Sequence, residues 1–92
     1  MVTLEVFVHP DCLAGDTAQS IVDRLRRLRF PNVDIRLIDL SLPGVIRPAA
    51  IFTVPTYVLN DKVISLGNPA FDELLKRITD LLQGSDLKEI VR

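Results

Sequence analysis

The chain predicts an α/β domain with a four-stranded mixed sheet and helices packed on it, and three observations carry that expectation. An apolar run over residues 2–8 is uniform enough for a strand buried on most of both faces. Two segments, one from about residue 16 and one from Asn68, repeat apolar residues at three- and four-residue steps, as amphipathic helices do. The stretches between and after show the short apolar runs and turn residues of strands. In order, the segments give β-α-β, a short irregular crossover, then β-β-α, a β-α-β-β-β-α arrangement.

Each element has a local reason. In residues 2–8 Glu5 is the only charge, so this strand is expected at the centre of the sheet. Ala18, Ile21, Val22, Leu25 and Leu28 form the apolar stripe of the first helix, opposite Asp23, Arg24, Arg26, Arg27 and Arg29. The arginines complement the macrodipole at its C-terminal end, and Pro31-Asn32 stops it. Their simplest role is a solvated helix face; an acidic partner is the sharper alternative. Residues 33–39 alternate apolar and charged side chains, which predicts a strand covered on one face and paired parallel to the first. Pro43, Gly44 and Pro48, with Pro55 at the limit, make 40–54 a constrained loop with room for one turn near Pro48-Ala49-Ala50-Ile51. Residues 56–59 and 62–66 form a hairpin through Asn60-Asp61, which tolerate positive φ. Asn68-Pro69 opens a second helix with Phe71, Leu74, Leu75, Ile78, Leu81 and Leu82 as its stripe and Gly84 as its stop. Residues 1–84 are thus expected to form a single domain, and 85–92 a short C-terminal tail.

Composition narrows the function classes. With 92 residues and 48% hydrophobic content, the chain can bury one core. Eleven basic against twelve acidic side chains leave a net charge of −1, which gives no general attraction to nucleic acid or an anionic membrane. A lone cysteine excludes a disulfide scaffold and fits a reducing compartment, so a cytoplasmic location is expected. The N-terminal residues lack a basic n-region and a small-residue cleavage site, and no apolar run approaches the roughly eighteen residues of a membrane span. One histidine and one cysteine do not supply the ligands of a closed metal site.

That cysteine, Cys12, falls between the first strand and the first helix, in Phe7-Val8-His9-Pro10-Asp11-Cys12-Leu13-Ala14-Gly15. Backbone N–H groups converge at such a turn and favour a thiolate. The element order, Cys12 five residues after Phe7, and Thr53-Val54-Pro55-Thr56 before the hairpin together resemble the thioredoxin-like superfamily. The resemblance covers about residues 2–83. It puts Cys12 at the place of the first cysteine of the Cys-x-x-Cys motif and likens Thr53, Val54 and Pro55 to the cis-proline segment, in the Thr-Val-Pro form of glutaredoxins. Gly67 matches the glycine before the final helix. The resemblance implies a nucleophilic Cys12 and a cis Pro55 whose segment presents the Val54 backbone to an extended peptide or to glutathione. The alternative is a trans proline opening an edge strand.

The departures from that pattern limit what it implies. Gly15 stands where the resolving cysteine would be, so the dithiol mechanism is absent. Val6 replaces the buried acid of thioredoxins, and the chain has no tryptophan. The basic residue and acidic pair of glutaredoxins are missing, and Leu13-Ala14-Gly15 differs from the monothiol glutaredoxins that hold an iron–sulfur cluster. If the helix begins at Cys12, as the resemblance implies, its dipole favours the thiolate by about 0.3–1 kcal/mol. Asp11 opposes this: a carboxylate about 6 Å away at a dielectric of about 40–80 costs about 0.7–1.4 kcal/mol. If instead Asp16 is the N-cap and Gln19 completes a capping box, the gain is smaller still. Cys12 is either a reactive thiol or a small half-buried apolar residue. His9, the only imidazole, is either an auxiliary proton carrier or a solvated strand-end residue.

Two function classes follow. In the first, the protein is a monothiol thiol-disulfide exchange protein acting through Cys12 on a protein or glutathione disulfide, with an external thiol to resolve it and no tightly bound cofactor. In the second, it is a non-catalytic module that retains the fold and docks another protein at the Pro55 groove or the 40–54 face.

Overall fold

A computed structural model describes residues 1–10, 14–49, 51 and 53–91, the side chains of 84–91 excepted. The elements are β1 (Val2–Val8), α1 (Gly15–Arg27), β2 (Val33–Asp39), β3 (Thr56–Leu59), β4 (Lys62–Leu66) and α2 (Phe71–Val91). They form an α/β fold with one four-stranded mixed sheet of order β2-β1-β3-β4. β1 pairs parallel to β2, with Val2 opposite Val33 and Val8 opposite Asp39, and antiparallel to β3, with Leu4 opposite Leu59 and Phe7 opposite Thr56. Its sequence, apolar but for Thr3 and Glu5, suits this interior place, since both its edges are hydrogen-bonded and five of its seven residues are buried.

Alternation along β1 divides the molecule. Val2, Leu4, Val6 and Val8 point to the helical side, where Ala18, Ile21, Val22 and Leu25 of α1 and Leu74 and Ile78 of α2 complete the main core with Tyr57 and Leu59. Phe7 points the other way and joins Ile51 and Val58 in a small second cluster. The crossover between β2 and β3 contains no regular element among the described residues. It is held by turns, Val45 N–H to the Leu42 carbonyl at 3.3 Å and Ile51 N–H to the Pro48 carbonyl at 3.0 Å.

The turns follow their residues. Asn60 and Asp61 both have positive φ, 48° and 66°, the geometry of a two-residue hairpin matched to strand twist. Asn60 also clamps β1: its Oδ1 accepts the Thr3 N–H at 2.9 Å, and its own N–H donates to the Thr3 carbonyl at 2.9 Å. α1 ends at Arg27, ahead of the expected stop at Pro31-Asn32, because Arg29 takes the left-handed conformation (φ 52°) just past the cap residue Leu28.

Three expectations need correction. α1 is not capped by Asp16. Its N-cap is Ala14, without a side-chain hydrogen bond, and Gln19 donates to Asp23 at 3.0 Å instead of closing a capping box. α2 is not stopped by Gly84. It begins at Phe71, with the Leu74 N–H on the Ala70 carbonyl, and runs to Val91, so residues 85–91 continue the helix in place of a separate tail. An interior glycine costs only about 1 kcal/mol relative to alanine, which neighbouring helix formers offset. Leu81 is 40% exposed and stands outside the buried stripe formed by Leu74 and Ile78. Among the described residues, no helix is long and apolar enough to cross a membrane.

Leu74 is fully buried whereas Leu81 is not, so truncation separates core from rim. Leu74→Ala is expected to cost about 2–5 kcal/mol and Leu81→Ala well under half of that, read from urea unfolding midpoints at equal m-value.

Candidate functional site

The described residues of the candidate site, His9, Thr53, Val54, Pro55 and Gly67, lie at one end of the sheet, where β1 leaves toward α1 and β3 enters. Phe7 lies opposite Thr56 in the β1–β3 ladder, so His9, two residues past Phe7, shares this end with the Thr53-Val54-Pro55 segment. Thr53 is exposed, Val54 half-buried and Pro55 buried, and the Val54–Pro55 peptide is cis. The Thr53 carbonyl accepts the Thr56 hydroxyl at 2.6 Å, a contact that folds the segment back on the start of β3. Gly67 joins the same cluster through its N–H, which donates to the Pro55 carbonyl at 2.7 Å.

Gly67 is required by backbone conformation, not by crowding. Its φ is +103°, where side chains are strongly disfavoured, while a Cβ there would meet nothing within 4 Å among the described residues. Gly15 is different: it lies in the first turn of α1, and among the described residues a Cβ would meet only the His9 carbonyl oxygen, at an ordinary 3.5 Å. Nothing among the described residues reserves position 15 for glycine.

Asp11 and Cys12 lie outside the described residues. The chain on either side of them is placed: Pro10 follows β1, and Ala14 is the N-cap of α1. Ala14 is held by a contact that the sequence pattern did not reveal. Asn68 donates from Nδ2 to the Ala14 carbonyl at 3.0 Å, and its Oδ1 accepts the Tyr57 hydroxyl at 2.8 Å. A residue read only as a helix opener therefore ties α1 and β3 together at the approach to α2. The only available signal was a single tyrosine in an apolar strand, since a buried phenol needs an acceptor.

The electrostatics of this end are mild. Asp39, at the end of β2 beside Val8, has its carboxyl held below the ordinary range mainly by the Ser41 hydroxyl and N–H at 2.6 and 2.8 Å, with a smaller contribution from the charge of His9. Burial pushes the Tyr57 phenol up to about 12. Among the described residues, no three His, Cys, Asp or Glu side chains gather closely enough to hold a metal ion.

No family model and no curated protein matches this chain. Among solved structures it is similar to one described as "Crystal structure of a designed protein", with a TM-score of 0.59 and 28% identity, over 88% of this chain and 76% of that one. The likeness accords with the α/β arrangement and carries no activity with it.

Tyr57 supplies a pH-dependent test of the network. Its folded pKa of about 12 exceeds the ordinary 10.0, so its contribution to stability is complete below pH 10 and is lost as pH rises from there to about 12. Tyr57→Phe is expected to remove this part of the alkaline decline. With one tyrosine and no tryptophan in the chain, the tyrosinate absorbance band follows this group alone.

Proposed function

We propose that the protein belongs to the thioredoxin-like class and acts as a monothiol thiol-disulfide exchange protein through Cys12. The single observation that carries the reading is the convergence at one sheet end of the strand leading to Cys12, the Thr53-Val54-Pro55 segment and Gly67. The strand order, with a parallel pair, a hairpin and a closing helix, supports the same class.

In the proposed reaction the Cys12 thiolate attacks one sulfur of a disulfide between glutathione and a protein thiol. A new sulfur–sulfur bond forms to Cys12, the original one breaks, and the leaving thiolate takes a proton from solvent. A second, external thiol then attacks the mixed disulfide and regenerates Cys12, since position 15 offers no resolving sulfur. Thr53, Val54 and Pro55 line the approach for the substrate. His9 and Asp11 are auxiliary, and Gly67 fixes the backbone behind Pro55. No tightly bound cofactor is required, glutathione being a substrate, and a cytoplasmic setting would supply it.

A second reading, a docking module, draws on the face of the sheet opposite the helices, which the short crossover covers only at one end.

Treatment with oxidised glutathione is expected to add one glutathione to the wild-type mass and none to Cys12→Ser. Absence of the adduct under conditions that modify a free cysteine overturns the redox reading. The space at position 15 provides an independent check of the class. Gly15→Cys is expected to fold and, on oxidation, to lose two hydrogens by bridging to Cys12, a product that Cys12→Ser abolishes.

A further inference from the structure

Both helices pack on one side of the sheet, and the opposite side is left with an amphipathic furrow. It consists of two adjoining clefts of about 190 and 490 Å³, and Glu5 and Asp61 wall both. The smaller has an apolar floor of Phe7, Ile51 and Val58. A bulge between Tyr57 and Val58 shifts the hairpin register so that Val63 lies opposite Val58 and Leu66 opposite Thr56. Both apolar side chains therefore stand on the furrow side, 43% and 65% exposed. In the larger cleft Arg36 is engaged by Asp34 at 2.7 Å, while neither Glu5 nor Asp61 has an ion-pair partner among the described residues. The surface thus offers an apolar seat beside two carboxylates, with Arg36, the cross-strand neighbour of Glu5, turned to Asp34.

The complement of that surface is an exposed apolar side chain flanked by cations, and the chain carries one at the end of α1. Leu28 is 51% exposed between Arg27 and Arg29, where the left-handed turn at Arg29 ends the helix. The other two arginines of this helix are committed within the fold. Arg24 lies 3.7 Å over the Phe71 ring, and Arg26 donates to the Ile35 carbonyl at 3.2 Å. Arg27 and Arg29 have no ion-pair partner among the described residues.

We propose that the chain associates head to tail with a second copy of itself, Leu28 of one copy seating in the Phe7–Val58 cleft of the next while Arg27 and Arg29 face Glu5 and Asp61. The two patches lie on opposite sides of the sheet, so the contact is heterologous and each copy keeps one free donor and one free acceptor surface. The inference rests on the docking reading, whose partner it names, and is independent of the chemistry of Cys12. The contact is small and partly ionic, so it is weak and weakens further with salt.

Sedimentation equilibrium under reducing conditions, up to millimolar protein, tests it. The wild type is expected to exceed the dimer mass at low salt and to dissociate as salt rises. Leu28→Asp and the double variant Glu5→Lys/Asp61→Lys are each expected to remain monomeric, and circular dichroism checks that both are folded. An equimolar mixture of the two variants is expected to restore a dimer and nothing larger, because one keeps an intact furrow and the other an intact Arg27-Leu28-Arg29. A wild type that stays monomeric or stops at a dimer, or a mixture that stays monomeric, overturns the proposal. None of these results bears on glutathione capture by Cys12, so the two readings fail separately.

Discussion

Everything in this molecule is placed relative to β1, and the constraint on β1 is that its backbone must be hydrogen-bonded on both edges while its side chains are buried on both faces. An interior strand that left N–H or carbonyl groups unpaired would lose about 1–3 kcal/mol for each. β2 and β3 satisfy those groups over nearly its whole length. Asn60 extends the pairing beyond the β3 ladder by exchanging bonds with Thr3 through both its side chain and its backbone. The hairpin is thereby fixed at both ends, and with it the register that brings Thr56 opposite Phe7.

The candidate site is a consequence of that register. Because Phe7 meets Thr56, the segment before β3 arrives at the end of the sheet from which the chain leaves for α1. Asn68 then joins the two from the approach to α2, using the Tyr57 hydroxyl and the Ala14 carbonyl. Tyr57 and Asn68 are each satisfied by the other, so the polar contact is compatible with full burial of the tyrosine ring. The start of α1, which lacks a side-chain cap, is held by this tertiary contact instead.

The same alternation that builds the core on one side of the sheet leaves the other side incomplete. Phe7, Ile51 and Val58 close a small cluster under the crossover, and beyond it Glu5, Arg36 and Asp61 make the surface polar. A short crossover thus separates two regions with different character, a candidate chemical end and an amphipathic face.

Strand and helix positions were legible in the sequence because each rests on a local pattern: the largely apolar run of β1, the alternation of β2, the Asn60-Asp61 turn and the stripe of α1. The central place of the first strand, its parallel pairing with the second and the hairpin were also inferable, since a parallel β-α-β unit followed by a hairpin leaves few arrangements. Helix ends were not, because Ala14 is held by Asn68 from 54 residues away and Gly84 is carried by its helical neighbours. The bulge that turns both Val63 and Leu66 outward depends on pairing with β3, which no local pattern encodes. Sequence alone thus determined the elements, and the prominence of Cys12 at a strand-to-helix junction. Only tertiary structure decided which distant residues meet around that junction, because hydrogen bonds between segments depend on spatial register and not on chain spacing.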